Sequence, residues 1–308
     1  MKRFDSIRPY TDSEVQSVLQ QLSTNSDVVK AFISATKFGF LTKIPFSAWI
    51  ASKILQTKIK NIHTINDYQS IFENLVSNMI DTKTSGFTCN GFQNIKPNMS
   101  YLYMSNHRDI TVDPALLNYM LHQNNFKTTN IAVGNNLMSE AWASDLMRLN
   151  KSFIIDRTGK SKREIYQGLN LASEYIEDSI LEKNEPIWIA QKQGRAKDGL
   201  DKTDPALLKM IHLINRKSIP ISDYFNSLCF IPVAVSYEFD PNDLFKANEL
   251  HAIETHQEYI KTDKEDLNSI ANGISGQKGL VNLNIGSPIN FIDNSYEACA
   301  NSVSYTHL

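Results

Sequence analysis

From Gly86 onward, short apolar runs and helix-periodic segments take turns, and few architectures accommodate that alternation. MSYLYMS (99–105), TTNIAVGNN (128–136), SFIID (152–156), PIWIAQ (186–191), LCFIPVAVSY (228–237) and GLVNLNIGSPI (279–289) read as strands. GFTCNGFQNI, at the start of this region, alternates and carries turn residues. Between these runs, PALLNYMLHQ (114–123), SEAWASDLMRL (139–149), residues 160–182, DPALLKMIHLI (204–214) and residues 242–271 read as helices. The pattern predicts an α/β fold with a mixed, largely parallel sheet covered by helices. LCFIPVAVSY is apolar without a break, as expected of a strand buried on both faces.

Residues 1–85 read differently, as an N-terminal helical region. Asp12-Ser13-Glu14 precedes a segment in which Val15, Val18, Leu19 and Leu22 share one helix face. Residues 28–60 contain Lys30, Lys37, Lys43, Lys53, Lys58 and Lys60 and no acid, interleaved with Phe32, Phe38, Phe40, Phe46 and Trp49. Pro45 should divide this stretch into two helices. A basic, aromatic-rich amphipathic segment can lie on an anionic membrane surface, and a core-facing helix pair with solvated lysines gives a similar pattern. Residues 65–82 read as a further helix. With no repeat and no long linker, the helical region is expected to pack on an α/β domain spanning 86–303. The final NSVSYTHL suggests no regular element, and residues 304–308 read as a tail, non-native in look.

Composition narrows the function classes. Among 308 residues the formal net charge is −2, so no global attraction to nucleic acid is expected. Cys89, Cys229 and Cys299 are odd in number and widely spaced, which fits a reducing compartment and no metal site. The N-terminus lacks the apolar core of a signal peptide, and no run of ~18 apolar residues suggests a membrane span. These features together predict a cytoplasmic protein, peripherally associated with a membrane through residues 28–60.

Three stretches carry candidate chemistry. In SNHRDITVDPALL, His107 follows an expected strand end, with Asp109 and Asp113 close behind. Histidine is the usual general base near neutral pH, and a carboxylate can fix its tautomer and stabilise its cation. Asp113-Pro114 is also a strong helix start, with Asp at the N-cap and Pro at the first helical position, so Asp113 has a structural reason to exist. His-Arg-Asp does not begin a kinase catalytic loop: Pro114 stands where that pattern needs Asn. Gln193, Gly194, Arg195 and Lys197 follow a strand and suit a phosphate-binding loop, or a solvated basic turn. Arg157 ends the apolar run Phe153–Ile155 and suits a phosphorylated head group or a solvated helix start.

Taken in order, these stretches resemble the glycerophospholipid acyltransferase family, whose members acylate glycerol-3-phosphate or lysophosphatidic acid. SNHRDITVDPALL is similar to that family's His-plus-Asp block, SFIIDR to its Phe-Ile-x-Arg block, and KQGRAKDG to its Glu-Gly-x-Arg loop. FIPVAVSYE and GLVNLNIGSPI are similar to two later strand blocks, so the resemblance covers about residues 86–292. Three positions depart. Val112 stands five after His107, where the family has Asp, and Asp113 lies six after. Gln193 replaces Glu, and Arg195 comes one position early, where Ala196 would be Arg. The resemblance implies an O-acyltransferase needing no cofactor, with acyl-CoA or acyl-carrier protein as co-substrate and a lipid or glycerol-phosphate acceptor. It implies His107 as base with Asp113 or Asp109 as its partner. Arg157, Arg195 and Lys197 would then hold phosphate. The departures leave two alternatives open: a catalytically impaired lipid-binding member, or a different lipid acceptor.

Overall fold

The computed structural model describes residues 3–35, 47–138, 140–255, 258–262 and 264–305. Four helices come first: α1 (Asp12–Leu22), α2 (Ser26–Ala35), α3 (Ser47–Ile59) and α4 (Ile65–Lys83). Strands and helices then alternate: β1 (Gly86–Asn90), β2 (Leu102–Ser105), α5 (Val112–Gln123), β3 (Asn130–Gly134), α6 (Ala141–Leu149), β4 (Ser152–Ile155), α7 (Lys162–Glu177) and β5 (Ile187–Ala190). The chain continues with α8 (Pro205–Ile211), α9 (Ile221–Ser227), β6 (Phe230–Tyr237), α10 (Asp243–Glu254), α11 (Glu265–Ser275), β7 (Leu280–Ile285) and α12 (Tyr296–Tyr305).

One seven-stranded sheet runs in the order β1-β7-β6-β2-β5-β3-β4. Strands β2 to β6 are mutually parallel, and the β6·β7 pair is antiparallel. The sheet is therefore mixed and largely parallel, as expected. Each face is covered. Leu102, Met104, Ile187, Ile189 and Phe230 pack on one side against α7, α8, α9 and α12. Tyr103, Trp188, Val233 and Val235 pack on the other against α4 and α5. Burial on both faces explains the unbroken apolar runs of β2 (Leu102–Met104), β5 (Ile187–Ala190) and β6 (Phe230–Val235).

The N-terminal helices join this body. Val76 and Met79 of α4 belong to the core on one face of the sheet. Val15, Val18, Leu19 and Leu22 of α1 pack with Tyr68 of α4 and Leu149 of α6. Helix α1 opens with a capping box between Thr11 and Glu14, so the cap is Thr11. Val29 and Ile33 of α2 meet Ala51 of α3. Pro45, with Phe38, Phe40 and Phe46, lies outside the described residues.

Several expected bounds move. The helix expected over 242–271 is two helices, α10 and α11, and at the start of α11 Thr262 N–H and the Tyr259 hydroxyl both reach Glu265. The end is also more ordered than expected. α12 runs to Tyr305, with Cys299, Ala300 and Val303 buried, and Ser304 Oγ accepts the Thr203 N–H at 2.9 Å. Packing on α8, which the local sequence does not announce, stabilises this helix.

Candidate active site

Five parallel strands deliver their C-terminal ends to one edge of the sheet, where α/β proteins place their ligand crevices. β2 is buried along its whole length and ends at Ser105. Asn106 continues it by side chain. Its Oδ1 accepts the Val235 N–H at 2.8 Å and its Nδ2 donates to the Val235 carbonyl at 3.0 Å, which ties the loop start to β6.

His107 follows. Its Nδ1 lies 3.2 Å from Asp113 Oδ2. That oxygen also accepts the N–H groups of Arg108 at 2.7 Å and Asp109 at 2.9 Å, and Oδ1 accepts the Tyr237 hydroxyl at 2.7 Å. Asp113 is fully buried, so every one of these donors counts. Because Asp113 acts here only as an acceptor, Nδ1 of His107 is the donor and Nε2 is left to receive a proton. The imidazole meets Trp188 edge to face, with ring centroids 6.0 Å apart.

The helix start differs from expectation. α5 begins at Val112, so Asp113 and Pro114 are its second and third residues and Asp113 is not the cap. The orphan N–H groups go to Asp109 instead. Its Oδ1 accepts from Thr111 and Val112, each at 2.9 Å. The two carboxylates thus divide the work: Asp109 closes the helix end and Asp113 meets His107. Asp109 is not brought to the imidazole. Burial foremost, then the charge of Asp113, pushes the Asp109 carboxyl above its ordinary range, while the two N–H groups and Arg195 oppose the shift.

His107, Arg157, Gln193, Gly194, Arg195 and Lys197 line one cavity of about 390 Å³. Residues that are distant in sequence therefore converge. The basic loop is strapped to the His107 loop: Ala196 N–H donates to the His107 carbonyl at 2.7 Å, and Asp201 binds both Arg108 and Asn106. Gly194 turns with φ +75°, a conformation that favours glycine. Arg157 donates to the Gln193 side-chain oxygen. Because Gln carries no charge, that bond leaves the guanidinium's positive charge uncancelled, whereas Glu would cancel it. Arg195 Nη2 donates to Ser269 Oγ at 3.2 Å, and its buried Nη1 has no hydrogen-bond partner among the described residues. Lys197 is already committed, in an ion pair with Glu249 of α10. Apolar side chains, among them Ile131, Val133, Ile155 and Leu207, complete the lining. Among the described residues no group of three or more His, Cys, Asp and Glu side chains is arranged to hold a metal.

Tyr237, Trp188 and Ser269 escape the sequence reading. Tyr237 and Trp188 look like ordinary strand residues: Tyr237 closes β6, and Trp188 lies inside β5.

Residues 86–201 match the family model described as Acyltransferase. That span holds His107, Asp109, Asp113 and all five candidate substrate-binding residues, and it is an acyltransferase-family domain. No curated protein matches the chain. Among solved structures, the 1-acyl-sn-glycerophosphate (LPA) acyltransferase PlsC from Thermotoga maritima is similar at 12% identity, over 95% of this chain and 94% of that one, with a TM-score of 0.44. Cell division protein FtsY from Thermotoga maritima aligns at 13% identity over 97% of this chain and 91% of that one, with a TM-score of 0.27. At these TM-scores neither structure bears on the activity.

Proposed function

We propose that the chain is an O-acyltransferase that moves a fatty acyl group from an acyl thioester to a hydroxyl of glycerol-3-phosphate or lysophosphatidic acid, in phospholipid biosynthesis. The observation that carries this reading is the His107–Asp113 pair beside a cavity whose lining includes Arg157 and Arg195. Acyl-CoA or acyl-carrier protein supplies the acyl group. The acceptor hydroxyl attacks the thioester carbonyl while His107 Nε2 takes its proton. The C–S bond then breaks, and the thiolate leaves with the proton that the imidazolium returns. Asp113 holds the ring and stabilises its cation, the role a carboxylate plays in a Ser-His-Asp triad. The attacking oxygen belongs to the substrate, so no protein nucleophile is required. Arg157 and Arg195 hold the acceptor phosphate as forked cations. Lys197 contributes through Glu249 to loop position more than to phosphate contact.

The protein acts in the cytoplasm at a membrane surface. Among the described residues no helix is long and apolar enough to cross a membrane. On α3, Trp49, Ile50 and Ile54 are exposed at 64%, 52% and 45%, and Lys53 and Lys58 are exposed on the same helix. An apolar surface with flanking cations suits the headgroup region of an anionic bilayer. Neutralising the lysines of residues 28–60 should weaken co-sedimentation with anionic liposomes, and unchanged binding would count against the contact.

Radiolabelled acyl-CoA and acyl-carrier protein, each offered glycerol-3-phosphate, lysophosphatidic acid and a phosphate-free monoacylglycerol, test the reaction itself. Transfer to a phosphate-bearing acceptor is expected. Binding without transfer would instead mark a lipid-binding member, and preference for the phosphate-free acceptor would mark a different substrate.

A further inference from the structure

Arg157 and Arg195 come from the loops that follow β4 and β5, yet Arg195 is set from outside the sheet. Arg195 donates to Ser269 Oγ, and Ser269 is a fully buried residue of α11. One helical turn later, on the same face, Gly273 lies against the carboxylate of Asp109. A β-carbon added to Gly273 would lie 2.2 Å from Asp109 Oδ2 and 2.8 Å from its Cγ. Asp109 cannot readily swing away, because its other oxygen holds the N–H groups of Thr111 and Val112. Asn242 closes the contact. Its Nδ2 donates to the Ser269 carbonyl at 3.0 Å and lies 3.5 Å from Asp109 Oδ2. An unbroken set of contacts therefore runs from the loop that carries His107, through Asp109 and Gly273, along α11 to Ser269, and on to Arg195 at the cavity wall.

We propose that α11 is the specificity element of this site: Ser269 aims Arg195 at the phosphate of the acceptor, and the seating of Gly273 on Asp109 fixes the distance between that cation and His107. The inference rests on the acyl-transfer reading for the identity of the phosphate ester. Ser269 and Gly273 touch no substrate and are positioning residues. Three facts support the assignment. Gly273 stands where any side chain would lift the helix. Ser269 supplies the one hydrogen-bond partner of the Arg195 guanidinium found among the described residues. Asp266 of α11 and Lys261 just before it also line the cavity, so a shift of the helix changes the shape of the site.

The test uses the full chain with Ser269→Ala and Gly273→Ala. Glycerol-3-phosphate is the calorimetric probe, with kcat and KM measured for lysophosphatidic acid. Losing the orienting bond should weaken binding of glycerol-3-phosphate about tenfold and raise KM by a similar factor, with a smaller change in kcat. Ser269→Ala preserves helix propensity, so it stays informative should Gly273→Ala fold poorly. Wild-type affinity and KM in a folded Ser269→Ala protein would overturn the proposal. So would a fall in kcat at constant KM, or a wild-type protein that binds no glycerol-3-phosphate. If glycerol-3-phosphate binds in a Ser269-dependent way but no acyl group moves, the acyltransferase reading falls and this one stands. If acyl transfer proceeds equally in all three proteins, the reverse holds.

Discussion

Tyr237, the last residue of β6, donates its hydroxyl to Asp113 Oδ1 at 2.7 Å, while the opposite oxygen of the same carboxylate faces His107. The pair joins β6 to the first turn of α5 and leaves Asp113 with donors on each side. Burial, then the charges of Asp113 and Asp109, holds the Tyr237 hydroxyl protonated and well above the ordinary tyrosine range. Tyr237→Phe removes the donor and strands a buried carboxylate oxygen. The expected cost is about 1–3 kcal/mol in denaturant unfolding, with a roughly tenfold lower kcat as the imidazole loses its fixed support. Wild-type kcat in a Tyr237→Phe protein would show that Asp113 needs no second anchor.

His107→Ala removes the proton acceptor outright. Turnover should fall about 10²–10⁴-fold while melting temperature stays near that of the wild type, since the imidazole is held by one side-chain bond at the cavity edge. Steady-state acyl transfer beside a thermal melt separates lost chemistry from lost fold.

The two carboxylates should part company on amidation. In Asp113→Asn the amide oxygen still accepts the N–H groups of Arg108 and Asp109, and the Tyr237 hydroxyl can turn to accept from the new NH₂. The fold should hold, but the negative charge that supports an imidazolium is gone, so kcat should drop at least about a hundredfold. Asp109→Asn keeps its helix-end bonds and its shape against Gly273. Because the folded carboxyl of Asp109 is raised above its unfolded value, ionising it weakens the native state as pH rises past the ordinary aspartate range. The Asn variant escapes that loss. It should be at least as stable as wild type at neutral pH by urea melts, with kcat within about threefold.

These assignments mark where the sequence was legible and where it was not. The buried strands announced themselves, because β2, β5 and β6 need apolar side chains on both faces. The direction of β7 did not, since antiparallel pairing with β6 depends on where the chain returns and not on composition. His107 and Asp113 were legible as a pair despite the extra residue between them. Their spacing works because α5 starts at Val112, two residues earlier than expected, and its first turn carries Asp113 back toward the loop. The N-cap of α5 is Thr111, and the N–H groups at the helix start go to Asp109, since Asp113 is occupied by His107, Tyr237 and two other N–H groups. Ser269 and Gly273 were illegible. Their function comes from contact with residues more than a hundred positions away, or some seventy in the case of Arg195, and neither residue type signals it.

Stability should also report on a histidine far from this chemistry. His212, just past the end of α8, is buried at 2% exposure. Its Nε2 lies 2.9 Å from the Ile219 carbonyl, which can only accept, so Nε2 carries the hydrogen and Nδ1 accepts the Tyr296 hydroxyl at 3.0 Å. The neutral ring is fully satisfied. Burial lowers its affinity for a second proton, against a smaller opposing effect of the Ile219 carbonyl, so the folded value lies below the ordinary 6.5. The unfolded chain therefore binds the proton more readily. The stability contributed by neutral His212 is fully present above about pH 6.5 and is lost as pH falls through the lower folded value. Between pH 7.5 and pH 5, urea unfolding of the wild type should lose more free energy than that of His212→Gln. The Gln side chain does not titrate but can still donate toward Ile219. Identical losses in the two proteins would mean that His212 carries no proton linkage.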